Sequence, residues 1–279
     1  MEKKTFLFGA TSVIGWNLML ADKKKKLVPF CNSHARLPSH KKWNRFNLEE
    51  EAAYQTLFLK ESPALLIHCG GICDVDKCED EPDWAHHINV KGIDHLLTYL
   101  PDSVRLVYIS SDHVFGGGLT PFDEKSKTAP ISVYGQTRVL AEQKILKRAN
   151  SLVLRVGLAI GPGATQKTGH LNWLHYRKQK GLPLTIVKDE FRSVVWAKDL
   201  ANRILDYSRS SICGLRHITA KRAVSRLELA EYLNRRFRIG ATFSVRTRKE
   251  QPVPHLGRVE LKTLYRDSLA KSLPAVVSS

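Results

Sequence analysis

An α/β fold built on a doubly wound parallel sheet, with a smaller C-terminal region, is what the sequence predicts. Three observations carry that expectation. Short β-branched or apolar runs alternate with helical patterns from Thr5 onward, which is the signature of βαβ units. The first of these runs, Phe6-Leu-Phe8, ends in a small-residue turn that opens a helix. After Gly161-Pro162-Gly163 the alternation gives way to longer polar and basic stretches.

In chain order, Thr5 to Phe8 reads as the first strand and Ile14 to Ala21 as the helix after it. Leu27 to Phe30 and Ala64 to His68 are the next clear strands, and Ile88 to Leu100 is helical. Val104 to Ser110 is a further strand, ending in a Ser-Ser-Asp turn. Tyr134 to Ala149 has helical spacing, with Val139, Leu140, Ile145 and Leu146 available for one apolar face. Leu152 to Leu158 returns to strand character. Helices are expected at Leu171 to Lys180 and at Ser225 to Phe237, the second opening on Ser225-Arg-Leu-Glu228, a capping-box pattern. No internal repeat interrupts this order.

Composition bounds the function classes. A chain of 279 residues with 43% apolar and 25% charged residues has the length and balance of an ordinary globular protein. Its apolar stretch Leu152 to Ile160 is interrupted by Arg155 and falls well short of the roughly 20 residues that cross a bilayer, so no membrane span is expected. The apolar run after Met1 is too short for a signal-peptide core, and the five cysteines form an odd set without a disulfide spacing. Both features point to a cytoplasmic protein with reduced thiols. Cys69, Cys73 and Cys78 lie near His68, Asp74 and Asp76, but the spacing matches no structural zinc pattern, and no metal site is predicted. A net charge of +17 predicts attraction to polyanions, phosphorylated ligands among them. The Lys and Arg residues are scattered and accompany no nucleic-acid motif, so no specific nucleic-acid partner is predicted.

The turn Gly9-Ala-Thr11-Ser12-Val13-Ile14-Gly15 sits between a strand and a helix, where backbone N–H groups stabilise a dinucleotide pyrophosphate and small residues permit its approach. A Rossmann-like core over residues 1–160 follows, and residues 161–279 form a mainly substrate-binding region whose segments return to that core. Ser12 occupies the place of the usual middle glycine and keeps a hydroxyl for a phosphate; a tight turn without a ligand is the competing reading. Past the second strand the chain has no acidic residue to grip a ribose and offers Asn32, Ser33, His34 and Arg36 instead, with Lys41 and Lys42 beyond. That set favours a 2′-phosphate, hence NADP(H) over NAD(H), with ordinary surface basicity as the alternative.

Tyr134 and Arg138 are four apart on a predicted helix, so a phenol and a guanidinium share one face, and the cation is expected to lower the phenol pKa. A tuned phenol protonates the oxygen of a carbonyl that accepts hydride. Ser111 ends a strand, where the crevice of an open parallel sheet lies, and is placed to hydrogen-bond that oxygen.

The segment Tyr108-Ile-Ser-Ser-Asp-His-Val-Phe115, with Pro121-Phe-Asp-Glu124 and Val133-Tyr-Gly-Gln-Thr-Arg-Val-Leu-Ala-Glu142, resembles the core of the dTDP-4-dehydrorhamnose reductase family, in the extended short-chain dehydrogenase/reductase superfamily. His68 to Lys77, Glu81-Pro82, Ile88-Asn89-Val90, Arg155, Gly161-Pro162-Gly163, Asp189-Glu-Phe-Arg-Ser193 and Asp199-Leu-Ala201 are similar to its other landmarks. The resemblance covers most of the first two hundred residues.

It implies an NADPH-dependent reduction of the C4 keto group of a nucleotide-linked 4-keto-6-deoxy sugar, serving surface-polysaccharide synthesis. Ser111, Tyr134 and Arg138 are the catalytic residues it implies, Arg138 standing where the family has lysine. Cys69, Gly70 and Gly71 would pass close to the cofactor, as would Tyr134 and Arg138. Asn89 takes a structural or cofactor-supporting place, or that of a satisfied helix-face asparagine. Substrate contacts would come from Ser111, Asp112, His113, Glu190, Phe191 and Arg192, with help from His255 to Arg258. Arginine is not a conservative replacement for lysine, because its planar fork has fixed donors; His113 for tyrosine, Arg192 for a small residue and Val156-Gly157 for a polar pair are further departures. They leave two other readings open: a catalytically silent NADP-binding subunit that regulates a partner, as in the β-subunit of methionine adenosyltransferase, and a sugar-nucleotide epimerase or dehydratase. A homodimer is compatible with each.

Overall fold

The computed structural model describes residues 4–32, 35, 42–165 and 168–277. Strands β1 (Thr5–Phe8), β2 (Leu27–Cys31), β3 (Asn44–Arg45), β4 (Leu65–His68), β5 (Arg105–Ser111), β6 (Ser151–Val156) and β10 (Gly214–Ile218) form one parallel sheet in the order β3-β2-β1-β4-β5-β6-β10. Phe6 and Phe8 on one face of β1 pack with Tyr54 and Phe58 of α2 (Glu51–Lys60), Ile93 and Leu96 of α5 (Gly92–Tyr99), and Ala141 and Ile145 of α6 (Val133–Ile145). Leu7, on the other face, joins Leu18 of α1 (Val13–Ala21) and Leu200 and Ile204 of α8 (Ala197–Arg209). Helices on both faces bury both sides of the strands, and this is why the strands read as unbroken apolar runs. The result is the Rossmann-like doubly wound architecture that the alternating pattern predicts.

The remaining elements build the smaller lobe. Strands β7 (Leu158–Ile160), β11 (Ala223–Ser225) and β13 (Arg258–Val259) all pair with β9 (Phe191–Trp196). A separate parallel pair, β8 (Thr185–Val187) with β12 (Ser244–Arg246), lies beside them. Their apolar core joins Leu174 of α7 (His170–Gln179) to Val194, Val224 and Leu229, the last from α9 (Arg226–Arg236).

Several elements differ from expectation for identifiable reasons. Helix α2 and strand β3 were not expected; only Tyr54 and Phe58 of α2 are buried, too thin a stripe to register as a periodicity. The helix expected over Ile88 to Leu100 is preceded by α3 (Val75–Asp80) and α4 (Pro82–His86) and opens as a π-helical turn at His87–Lys91. Within that turn the Asn89 side chain bonds both backbone groups of Ile72 and donates to Thr137 Oγ1. Helix α6 stops at Ile145, and the Arg148 guanidinium takes up the carbonyls of Asn150, Pro101 and Val104 just beyond. Its buried face is not the expected leucine stripe: Leu140 and Leu146 are exposed, whereas Tyr134, Thr137, Arg138, Ala141, Glu142 and Ile145 are buried. Gly157 splits the strand expected over Leu152 to Leu158, because β9 approaches so closely that a Cβ there would lie 2.0 Å from the Ser193 carbonyl oxygen. Of the capping box at α9, the Ser225 hydroxyl accepts from Glu228 N at 3.0 Å, while the Glu228 carboxylate turns away to Arg222.

Candidate active site

Strand order reverses at β1, so the loops after β1 and β4 flank the crevice at the carboxyl end of the sheet. Ser12 caps α1 by accepting from Gly15 N at 3.0 Å, and the other amides of that first turn lack intrahelical partners by construction. Gly9 has φ +78, and a Cβ on it would lie 2.4 Å from Gly70 N and 2.5 Å from the Cys69 carbonyl carbon. The two loops therefore touch backbone to backbone, which leaves Gly9 through Ser12 and Cys69 through Gly71 as one low wall of mostly small residues. That cradle fits a pyrophosphate: it offers helix N-terminal donors and no side-chain bulk. Asn32 lies just past β2, its carbonyl accepting from Arg45 at 3.1 Å. Ser33, His34, Arg36 and Lys41 lie outside the described residues.

At the carboxyl end of β5, the Ser111 hydroxyl donates to Asp112 Oδ1 and accepts from His113 N, each at 3.3 Å, and it acts electrostatically on the Tyr134 phenol. The His113 ring packs edge-on against Tyr134, with centroids 5.1 Å apart. Arg138 lies with its guanidinium carbon 5.1 Å from the Tyr134 ring centroid, over the face of the ring. Its Nη1 donates to the Tyr108 hydroxyl at 2.6 Å, and its Nη2 reaches toward the Ile72 carbonyl. The downward pull expected of Arg138 is present but outweighed: burial pushes the Tyr134 phenol above its ordinary value, against the pulls of Arg138, Ser111 and Arg192. A phenol so placed holds its proton at neutral pH.

Next to Ser111, Asp112 is fully buried and paired with Arg192 of β9. Arg192 Nη1 stands 3.9 Å from Glu190, whose other oxygen receives a 2.7 Å bond from His255 Nδ1. Burial raises the Glu190 carboxyl, but Arg226, His255 and Arg192 together hold it well below the usual carboxylate range. His113 is pushed down to about 4 by burial and by Arg192. Ser111, Asp112, His113, Tyr134, Glu190 and Arg192 thus converge. Phe191 does not: strand alternation sends its ring to the opposite face from Arg192, where it lies under the Arg258 guanidinium at 5.4 Å.

Sequence reasoning passed over several residues of this neighbourhood. Tyr108 and Ser110 share one face of β5 and bind Arg138 and Glu142, which share one face of α6. Glu142 also takes a bidentate bond from Arg155, and Arg155 meets His217 Nε2 at 3.5 Å. A buried arginine inside an apolar strand needs an acidic partner, and that requirement was the available signal for Glu142. Arg226 and His170, which face Glu190 and Arg192 electrostatically, had none. Among the described residues no group of His, Cys, Asp or Glu side chains is arranged to hold a metal ion, and no helix is long and apolar enough to cross a membrane.

A family model described as RmlD substrate binding domain matches residues 3–258. The spore coat polysaccharide biosynthesis protein SpsK of Bacillus subtilis is 30% identical over 165 residues, covering 57% of this chain and 56% of that protein. Methionine adenosyltransferase 2 subunit beta of Xenopus laevis is 28% identical over 162 residues, 57% of this chain and 48% of that protein. The matched region thus spans about half the length of these curated relatives. Among solved structures, dTDP-4-dehydrorhamnose reductase from Bacillus anthracis in complex with NADP superposes with a TM-score of 0.82 at 20% identity, covering 99% of this chain and 96% of that one. At that identity the likeness is one of fold.

Proposed function

Because the chain belongs to the RmlD substrate binding domain family, we propose that it is an NADPH-dependent reductase of the C4 keto group of a nucleotide-linked 4-keto-6-deoxy sugar. The observation that carries this reading is the Tyr134 phenol, buried with Ser111 close by and the Arg138 guanidinium 5.1 Å from its ring, at the mouth of the crevice beside the Gly9–Gly15 turn. Backbone amides of that turn and the small residues Cys69 to Gly71 would hold the cofactor. Bound NADPH would supply the hydride. Ser111 donates a hydrogen bond to the C4 oxygen and orients the carbonyl. As that oxygen gains electron density, the Tyr134 hydroxyl gives up its proton to it, and the carbonyl ends as an alcohol. Arg138 stabilises the phenolate left behind.

The test is loss of NADPH absorbance when purified protein meets dTDP-4-keto-6-deoxyglucose, with product identified by mass. Failure to bind NADPH or NADH would sink the reading. A second reading has its own support in the likeness to a methionine adenosyltransferase β-subunit and in the guanidinium that stands in place of the family lysine. On it, the protein binds NADP(H) without turnover and regulates a partner. Tight NADPH binding with no oxidation, in the native protein and in Arg138→Lys alike, is the outcome that favours it.

A further inference from the structure

We infer that Tyr108 is a positioning residue for Arg138: its phenol fixes the guanidinium against Tyr134, so that Arg138 acts through its charge rather than by reaching the cofactor ribose. This rests on the reductase reading above.

The geometry is specific. Tyr108 is fully buried, three residues before Ser111 on β5, and its hydroxyl accepts from Arg138 Nη1 at 2.6 Å. The guanidinium carbon stands 5.7 Å from the Tyr108 ring and 5.1 Å from the Tyr134 ring, so the cation is held between two phenols. Nη2 faces the Ile72 carbonyl, and Nε has no hydrogen-bond partner although it is buried. The planar fork is thus committed on one edge to protein acceptors. With water excluded, a hydrogen bond from the buried guanidinium offsets part of its desolvation, and that compensation is lost if it swings away. Lysine, ending in one ammonium on a flexible stem, makes no such commitment. Arginine at position 138 and tyrosine at position 108 therefore work as a pair: the first supplies a fixed positive charge, the second keeps it from migrating. His68, on the neighbouring strand with its ring 5.6 Å from Tyr108, closes the remaining side and stays neutral, because burial and Arg138 both drive its pKa down to about 3.

The experiment is a double-mutant cycle of Tyr108→Phe with Arg138→Lys, read in two ways. In turnover of dTDP-4-keto-6-deoxyglucose, Tyr108→Phe alone lowers kcat about tenfold or more and leaves the KM for NADPH within about twofold; in the Arg138→Lys background the same change lowers kcat less than about twofold. Equal losses in both backgrounds, or a loss confined to KM, overturn the inference and leave Tyr108 a packing residue. In protein carrying ¹⁵N-arginine, the Arg138 Nη protons are protected from exchange, stay protected when NADP⁺ is added, and lose protection in Tyr108→Phe. Loss of protection on adding NADP⁺ to the native protein shows the guanidinium leaving Tyr108 for the cofactor and overturns the inference without any turnover. A native protein that oxidises no NADPH overturns the reductase reading instead, and the exchange readout still decides whether Tyr108 holds Arg138.

Discussion

Arg192 grips Asp112 through two hydrogen bonds, Nε to Oδ2 at 2.9 Å and Nη2 to Oδ1, and so ties β9 of the small lobe to the residue that follows Ser111. Asp112 has no solvent exposure, and Arg192 has 7%. Breaking a buried pair leaves the survivor charged and desolvated, at a cost of about 3–5 kcal/mol, whereas replacing both partners by apolar residues of similar volume is often neutral. Arg192→Met is therefore expected to lower unfolding free energy by that amount in urea, and Arg192→Met with Asp112→Leu to recover most of it. Equal destabilisation of the single and double variants would show that the ion pair is not what joins the lobes.

Tyr134→Phe removes the proposed proton donor without emptying the space that its ring fills. General acids of this kind contribute about 10²–10⁴-fold. The expected outcome is a loss of that size in kcat with NADPH affinity retained, and a smaller loss in Ser111→Ala, which removes an orienting hydrogen bond only. Isotope-labelled NADPH, with the kinetic isotope effect measured in each variant, separates a slowed chemical step from a slowed release.

The central sheet was legible from sequence because a strand covered on both faces is apolar at nearly every position, as Leu65 to His68 and Leu106 to Ile109 are. The small lobe was legible in its two helices, near Leu171 to Lys180 and Ser225 to Phe237, but not in its strands. Its strands are two to six residues long, and every residue of β12 is exposed, so no pattern marks them. Ser111, Tyr134 and Arg138 were readable because each stands in a local motif. The charged cluster was only partly so, since Asp112 and Arg192 are 80 positions apart and neither residue names its partner. Tyr108 escaped because a tyrosine in a strand ordinarily fills a core; only the arginine four residues beyond Tyr134 gives its hydroxyl a task.

Three histidines of the core are uncharged in the folded state. Burial lowers His68 to about 3 and His113 and His217 to about 4, with Arg138, Arg192 and Arg155 adding to the effect in turn. His217 shows the chemistry: Nδ1 faces the Lys262 carbonyl at 3.0 Å and Nε2 faces the Arg155 guanidinium at 3.5 Å, so the ring donates at one nitrogen and has no room for a second proton. These folded pKa values lie below the unfolded 6.5, and the unfolded chain therefore binds more protons between the two. Stability is full above about pH 6.5 and falls as the pH drops toward about 4, by about 1.4 kcal/mol per pH unit for each histidine still uncharged. Urea midpoints measured from neutral to mildly acid pH test this, and His113→Phe should make the decline shallower.

The charge of the chain is uneven. Residues 161–279 hold 23 of the 44 Lys and Arg residues but only 9 of the 27 Asp and Glu residues, so most of the +17 lies in this C-terminal part, which includes the small lobe. Near the candidate site this excess takes a definite form: Arg226 faces Glu190, Arg192 and Asp112, and burial lowers its pKa from the usual arginine value. If the substrate is the proposed diphosphate-linked sugar, the basic excess predicts attraction that raises its encounter rate and is screened over about 10 Å at 0.1 M salt. Steering acts on capture and leaves the chemical step alone. Hence kcat/KM for dTDP-4-keto-6-deoxyglucose should fall severalfold as ionic strength rises from low to physiological, while kcat stays level. Arg226→Gln should lower kcat/KM at low salt and flatten its salt dependence. A salt dependence that appears in kcat instead, or that Arg226→Gln leaves unchanged, would place the role of the basic lobe elsewhere than in capture of this substrate.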